Sequence, residues 1–198
     1  MRSLFITLFL LCLSNSFCSA ISPVNDNTIK EAQNYGRVHR ASSLENFFAP
    51  WAAYEENAQK LDEQTEHAYL YTPFLLVASN AREHALVDQT VSLADSHKLI
   101  QLYSGYLTFN VTLLGSTPHF SETNTCVLST NNKTISYYQA SEPEITKTTW
   151  YPNPPLYKAN HYFYFLANQI NLEKPITLIV NTADKREHKF YFNLSNIK

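Results

Sequence analysis

Residues 175–194, PITLIVNTADKREHKFYFNL, decide how this chain is read. Ile176, Leu178 and Val180 alternate with Thr177 and Asn181, Thr182-Ala183-Asp184-Lys185 turns the chain, and Phe190, Phe192 and Leu194 alternate with Lys189, Tyr191 and Asn193. Period-2 alternation on both sides of a polar turn predicts a half-buried β-hairpin. Its apolar face offers six large side chains, each worth roughly 1.5–3 kcal/mol on burial, so the hairpin belongs to the core.

Working back along the chain, the same texture recurs from Tyr69 onward. Short runs rich in Val, Ile, Thr, Tyr and Phe are separated by polar clusters. Strands are expected at 68–78, 85–93, 99–114, 125–129, 134–139, 145–149 and 161–167, with a break or bulge near Gly105. Leu156 precedes Tyr162 by six residues, and Tyr162 opens the run Tyr162-Phe163-Tyr164-Phe165. That spacing is similar to the tyrosine corner of immunoglobulin-like and fibronectin-type sandwiches, although Lys158 and Ala159 replace its usual proline and glycine. The resemblance covers residues 156–165 and favours a sandwich over a barrel. The expected fold is mainly β: an antiparallel, immunoglobulin-like β-sandwich over residues 68–198 with a short N-terminal helix packed on it.

Ahead of the strands, residues 41–67 read as a helical segment. Leu44, Phe47, Phe48, Trp51, Tyr54, Ala58 and Leu61 recur every three or four residues, and Pro50 suits the first turn of a helix over 50–66. Residues 21–40, with Pro23, Asn25, Asp26 and Asn27, read as a loose leader. Residues 1–20 carry the pattern of a secretory signal peptide: Arg2, an apolar run from Leu4 to Leu13, and small residues Cys18 and Ala20 at −3 and −1 of a cut before Ile21. That run is too short for a membrane span, and neither Phe17 before Cys18 nor Leu11 before Cys12 suits a lipoprotein cut. The expectation is an exported chain, periplasmic or extracellular, with no transmembrane anchor after cleavage.

Charge and cysteines narrow the partners. The chain carries 15 basic and 17 acidic residues, and loss of Arg2 takes the formal charge from −2 to −3 with no basic block. Nucleic acid and anionic lipid are therefore poor partners; a protein or envelope component, or a carbohydrate, is expected. Cys12 and Cys18 leave with the signal peptide, so Cys126 has no intrachain partner, and a buried thiol in a strand is the expectation, with an intermolecular disulfide the alternative. The lack of a disulfide framework favours a bacterial envelope over an animal extracellular domain, whereas sequons at Asn110, Asn132 and Asn193 point weakly the other way.

Motifs that carry chemistry are scarce. The three glycines, Gly36, Gly105 and Gly115, are too far apart for a phosphate loop, a dinucleotide fingerprint or a Gly-x-Ser-x-Gly elbow. Seven histidines make no HExxH; Glu83-His84 and Asp95-Ser96-His97 are the nearest to ligand pairs, the latter only if extended. No cofactor, metal or catalytic residue is assigned. A hydrolase would need His84, His97 or His161 beside a carboxylate, a serine or Cys126. The contact candidates are Trp150, Tyr151 and Tyr157 on the proline-stiffened loop 150–157, suited to stacking on a sugar or a partner surface. The functional expectation is a non-catalytic interaction or structural module of the envelope or cell surface, with a carbohydrate- or small-ligand-binding module as the alternative.

Overall fold

A computed structural model describes residues 24–62, 64–130 and 133–198. The signal-peptide reading of residues 1–20 and the Asn132 sequon lie outside those residues. The described residues form helices α1 (Asp26–Val38), α2 (Leu44–Phe48), α3 (Pro73–Leu86) and α4 (Leu93–Tyr103). The strands are β1 (Ala52–Tyr54), β2 (His67–Tyr71), β3 (Tyr106–Gly115), β4 (Thr125–Thr130), β5 (Lys133–Ser136), β6 (Gln139–Ala140), β7 (Glu144–Lys147), β8 (Tyr157–Leu166), β9 (Ile176–Asn181) and β10 (Glu187–Phe192). They make two antiparallel sheets: six strands in the order β1-β2-β3-β8-β6, with β7 also on β8, and four in the order β10-β9-β4-β5.

The C-terminal hairpin forms as its alternation requires. Val180 pairs with His188 and Ile176 with Phe192, and Ile176, Leu178, Val180, Phe190, Phe192 and Leu194 are all buried. They meet Leu107, Phe109, Val111 and Leu113 of β3 and Phe163 and Phe165 of β8 in one core between the sheets. Cys126 of β4 lies in the same core, and burial pushes its thiol well above the ordinary range. Tyr162 is not a corner: β8 begins at Tyr157, and Tyr162 sits in mid-strand opposite Asn110.

Helices replace several expected strands and one expected leader. The run 68–78 leaves the sheet after Tyr71, because Thr72 caps a helix by accepting from the Leu75 amide at 3.2 Å and Pro73 occupies its first turn. Helix α3 then buries Phe74, Leu75, Ala78, Ala81 and Ala85 along one stripe and consumes the start of the strand expected at 85–93. Ser92 caps α4 in the same way, through the Asp95 amide at 3.1 Å, and Gly105, at φ +86°, turns α4 into β3. Residues 26–38, expected as a loose leader, are helical; Asn25 caps them through the Thr28 amide at 3.0 Å. The helix expected over 50–66 is absent: Ala49–Trp51 is one 3-10 turn, and β1 then pairs with β2. Phe47 and Trp51 still bury as their spacing demanded, in a second core with Ile29, Phe74 and Leu75 that packs against Tyr69 and Tyr71.

Two contacts hold these layers. Glycine at 36 lets α1 approach α3, because a Cβ there would lie 2.1 Å from the Ala78 carbonyl oxygen and 2.8 Å from the Arg82 nitrogen. Glu66, just before β2, reaches across to the loop of the C-terminal hairpin. Its Oε2 accepts from His188 Nδ1 at 2.6 Å, and its Oε1 from the Leu114 amide at 2.9 Å and from Arg186 at 3.4 Å. Arg186 also donates to the Leu114 carbonyl at 2.6 Å. Glu66→Ala is expected to cost about 3 kcal/mol in urea unfolding, because it strands buried donors. Glu31→Ala, which breaks an exposed pair with Lys198, is expected to change nothing measurable. Gly36→Ala should lower stability by about 1–3 kcal/mol, as overpacking does, and lower the melting temperature accordingly.

Candidate functional site

Strands β2, β3 and β8 turn one set of side chains to the core and the alternate set to the outer face of the six-stranded sheet. The outer set forms transverse rows fixed by register: His67, Thr112 and Asn160; Tyr69, Asn110 and Tyr162; Tyr71, Thr108 and Tyr164. Glu144 of β7 extends the first row beside Asn160. Ser43, Leu44, Glu45 and Phe48 at α2, with Tyr54 and Asp62, stand beside these rows and enclose a groove of about 440 Å³. Lys158 is its one lysine, against the carboxylates of Glu45, Asp62 and Glu144.

The walls are aromatic. Phe48 stacks on Tyr69 with ring centroids 4.7 Å apart, His67 lies 4.8 Å from Tyr69, and Tyr54 lies 6.1 Å from His67. Burial, with smaller contributions from Tyr54 and Glu45, pushes the Tyr69 hydroxyl up to about 12, so it stays protonated. His67 Nδ1 donates to the Thr65 carbonyl at 2.8 Å, and burial lowers its pKa; the neutral ring keeps Nε2 as an acceptor. On the floor, Thr112 donates to Asn160 Oδ1 at 3.0 Å. Asn110 is only 9% exposed, and among the described residues its carboxamide has no hydrogen-bond partner. The same burial takes the Asn110 sequon out of reach of glycosylation in the folded protein, while Asn193 is exposed.

The residues singled out from sequence fall elsewhere. Trp150 is half-buried, Tyr151 is 45% exposed and Tyr157 is half-buried at the start of β8. The Tyr151 and Tyr157 rings meet edge to face, 67° apart, and Lys147 Nζ lies 4.2 Å from the Tyr151 centroid. The two tyrosines do not present one flat platform. Loop 150–157 is braced from within: Thr148 donates to the Pro155 carbonyl at 2.6 Å, and the Asn153 amide to the Trp150 carbonyl at 2.7 Å.

The histidines named for hydrolysis are dispersed. His84 bonds the Asn80 carbonyl on its own helix. His97 pairs with Asp26 of α1 at 2.9 Å, and because 95 and 97 lie on helix α4 their side chains diverge. His161 is buried, donating through Nε2 to the Ser141 carbonyl and accepting at Nδ1 from Asn124. Among the described residues no three His, Cys, Asp or Glu side chains converge as a metal site. No helix among them is long and apolar enough to cross a membrane.

One arrangement has the connectivity of a triad and is none. Thr182 Oγ1 lies 3.3 Å from His188 Nε2, and His188 Nδ1 lies 2.6 Å from Glu66. Yet Asp184 Oδ1, at 2.5 Å, takes the hydroxyl proton ahead of His188, and both Thr182 and His188 are buried. Neither lines the shallow depression formed beside them by Glu66, Asp184 and Arg186. The network ties the sheets together and offers no accessible nucleophile.

The groove and core histidines set a pH dependence. Burial holds both His67 and His161 below the ordinary imidazole value of about 6.5. Between that value and the lowered native ones, the unfolded chain binds more protons than the folded chain. The contribution from the neutral rings is thus complete above about pH 6.5 and is lost as pH falls through that window. Melting temperatures measured from pH 8 to pH 5 should decline below pH 6.5, and His161→Gln should make the decline shallower.

No family model and no curated protein matches this chain. Among solved structures, it is similar to the archaellum periplasmic stator protein FlaG from Sulfolobus acidocaldarius, at 13% identity and a TM-score of 0.30, over 45% of this chain and 87% of that one.

Proposed function

We propose that this chain is an exported, non-catalytic interaction module of the cell envelope or surface, built on an immunoglobulin-like arrangement of its two sheets, with the outer face of the six-stranded sheet as its recognition face. The observation that carries this reading is the groove over β2, β3 and β8: about 440 Å³, aromatic-walled, with the uncommitted Asn110 carboxamide on its floor. A sheet face made only for packing would fill those positions with apolar side chains. A site made for binding keeps a few polar groups in reach of an apolar wall. The charge of the groove agrees with a protein or other envelope component as partner and sets nucleic acid aside.

A photo-reactive residue placed in turn at Asn160 in the groove, at Tyr151 on the proline loop and at Tyr191 on the other sheet tests the reading in the producing cells. A reproducible adduct from position 160 and none from 191 is expected. An adduct from 151 alone would move recognition to the loop and overturn the groove as recognition face. No reproducible adduct from any position, together with a monomer on purification, would overturn the interaction module itself.

A further inference from the structure

Three observations at the groove bear on the chemistry of an occupant. The first is the unmet hydrogen-bonding capacity of Asn110. On a central strand buried on both faces, Asn110 is nine-tenths buried as a residue and lines the groove; its carboxamide has no hydrogen-bond partner among the described residues and opens to the groove. Alongside it, Thr112 donates to Asn160 Oδ1. An amide that opens into a groove and has no protein partner is one that a ligand there can pair with.

The second is charge. Glu45 and Asp62 are half-buried and Glu144 is exposed; all three line the groove, and none forms an ion pair among the described residues. Asp62 spends its carboxylate on local contacts, the Gln64 amide at 3.0 Å and the Thr65 hydroxyl at 3.2 Å. Glu45 has no hydrogen-bond partner and lies close enough to Tyr69, Tyr54 and His67 to act on all three. Three carboxylates against Lys158 leave the groove short of positive charge.

The third is the wall of stacked rings, Phe48 on Tyr69 with His67 and Tyr54 beside them. Aromatic faces attract cations, and a planar guanidinium also stacks on them. The neutral His67 ring adds an acceptor at Nε2.

We infer that the groove takes a guanidinium, the arginine side chain of a segment presented by a partner protein. Asn110 Oδ1 accepts one of its N–H groups on the floor, the Tyr69 ring stacks against it, and Glu45 supplies the counter-charge. The inference rests on the interaction-module reading and names the chemistry of the partner. A neutral sugar would meet the amide and the rings but leave the carboxylates uncompensated, and an acidic segment would be repelled.

The purified exported protein, labelled with 15N, is titrated with acetyl-Ser-Gly-Arg-Gly-Ser-amide, its citrulline and lysine twins, and a tetramer of N-acetylglucosamine. The arginine peptide should shift the amide resonances of Tyr69, Asn110 and Tyr162. The citrulline twin, equal in shape without the charge, should bind at least about tenfold more weakly, a difference of about 1.4 kcal/mol. Glu45→Gln should cost about tenfold in affinity for the arginine peptide and reduce its salt dependence. Asn110→Leu, which keeps the branching of the side chain and removes the unmet amide, should raise the melting temperature by about 2–4 °C while lowering affinity about tenfold. A residue with a purely structural role would move stability the other way. Equal binding of the citrulline twin, tighter binding of the lysine twin, or a lower melting temperature for Asn110→Leu would each overturn the guanidinium site. Shifts of the same resonances by the sugar and not by the arginine peptide would overturn the ligand and leave the recognition face standing. Failure of every probe together with no adduct from position 160 would overturn both.

Discussion

The ten-residue antiparallel pairing of β3 with β8 is the constraint on which both the core and the groove depend. It aligns Tyr106 with Leu166 at one end and Gly115 with Tyr157 at the other. In that register Leu107, Phe109, Val111 and Leu113 face the same core as Ala159, Phe163 and Phe165, while Thr108, Asn110 and Thr112 face outward beside Tyr164, Tyr162 and Asn160. A slip of one residue would turn the apolar set outward and bury the polar set between the sheets. The register that makes the interior thus also makes the rows of the groove. Neither can be altered without the other.

Around this pair the remaining elements close by a few long-range polar ties. Glu66 fastens the entrance of β2 to the C-terminal hairpin through His188 and Arg186, across a separation in sequence that no local turn could bridge. On the helical side, Trp51 Nε1 and the Thr72 hydroxyl both donate to the Lys198 carbonyl, at 2.9 and 2.6 Å. Thr72 therefore caps α3 and anchors the end of the chain with one side chain. These ties explain how four helices and two sheets share their layers; Cys126, the cysteine among the described residues, is free and buried among apolar neighbours.

Strict alternation was legible and mixed runs were not. Residues 176–181 and 187–194 alternate cleanly and form the expected hairpin, and 125–129 and 161–167 follow the same rule. The errors cluster at 68–103, where apolar runs of strand length begin or end on a helix. Thr72-Pro73 was the missed signal: a capping hydroxyl followed by a proline in the first turn outweighs the β-propensity of the residues on either side. Asn25-Asp26 and Ser92 carried the same message for α1 and α4. In the 41–67 segment, spacing correctly marked Phe47 and Trp51 as buried, yet helical spacing over five residues of real helix was extended across a strand and a turn. Leu44 and Leu61, marked by the same spacing, are exposed, because the helix ends at Phe48; caps report where the backbone changes form.

The groove was written in the sequence as Leu107-Thr108-Phe109-Asn110-Val111-Thr112-Leu113, an alternation whose polar members suggest a solvated sheet face. The structure makes that face a groove, because α2, with Tyr54 and Asp62, stands beside it. The wall comes from elements distant in sequence, so no local pattern could reveal that Asn110 would be buried. The proline loop at 150–157 is a different case. Its composition marks it as stiff and aromatic, and its backbone is braced from within while the Lys147 ammonium sits over an exposed Tyr151. The loop's internal bonds fix its backbone, whereas the groove holds a side-chain amide without a protein partner among the described residues. Asn110, between half-buried Tyr69 and Tyr162 and with no hydrogen-bond partner for its amide among the described residues, is the groove position where such a requirement stands open.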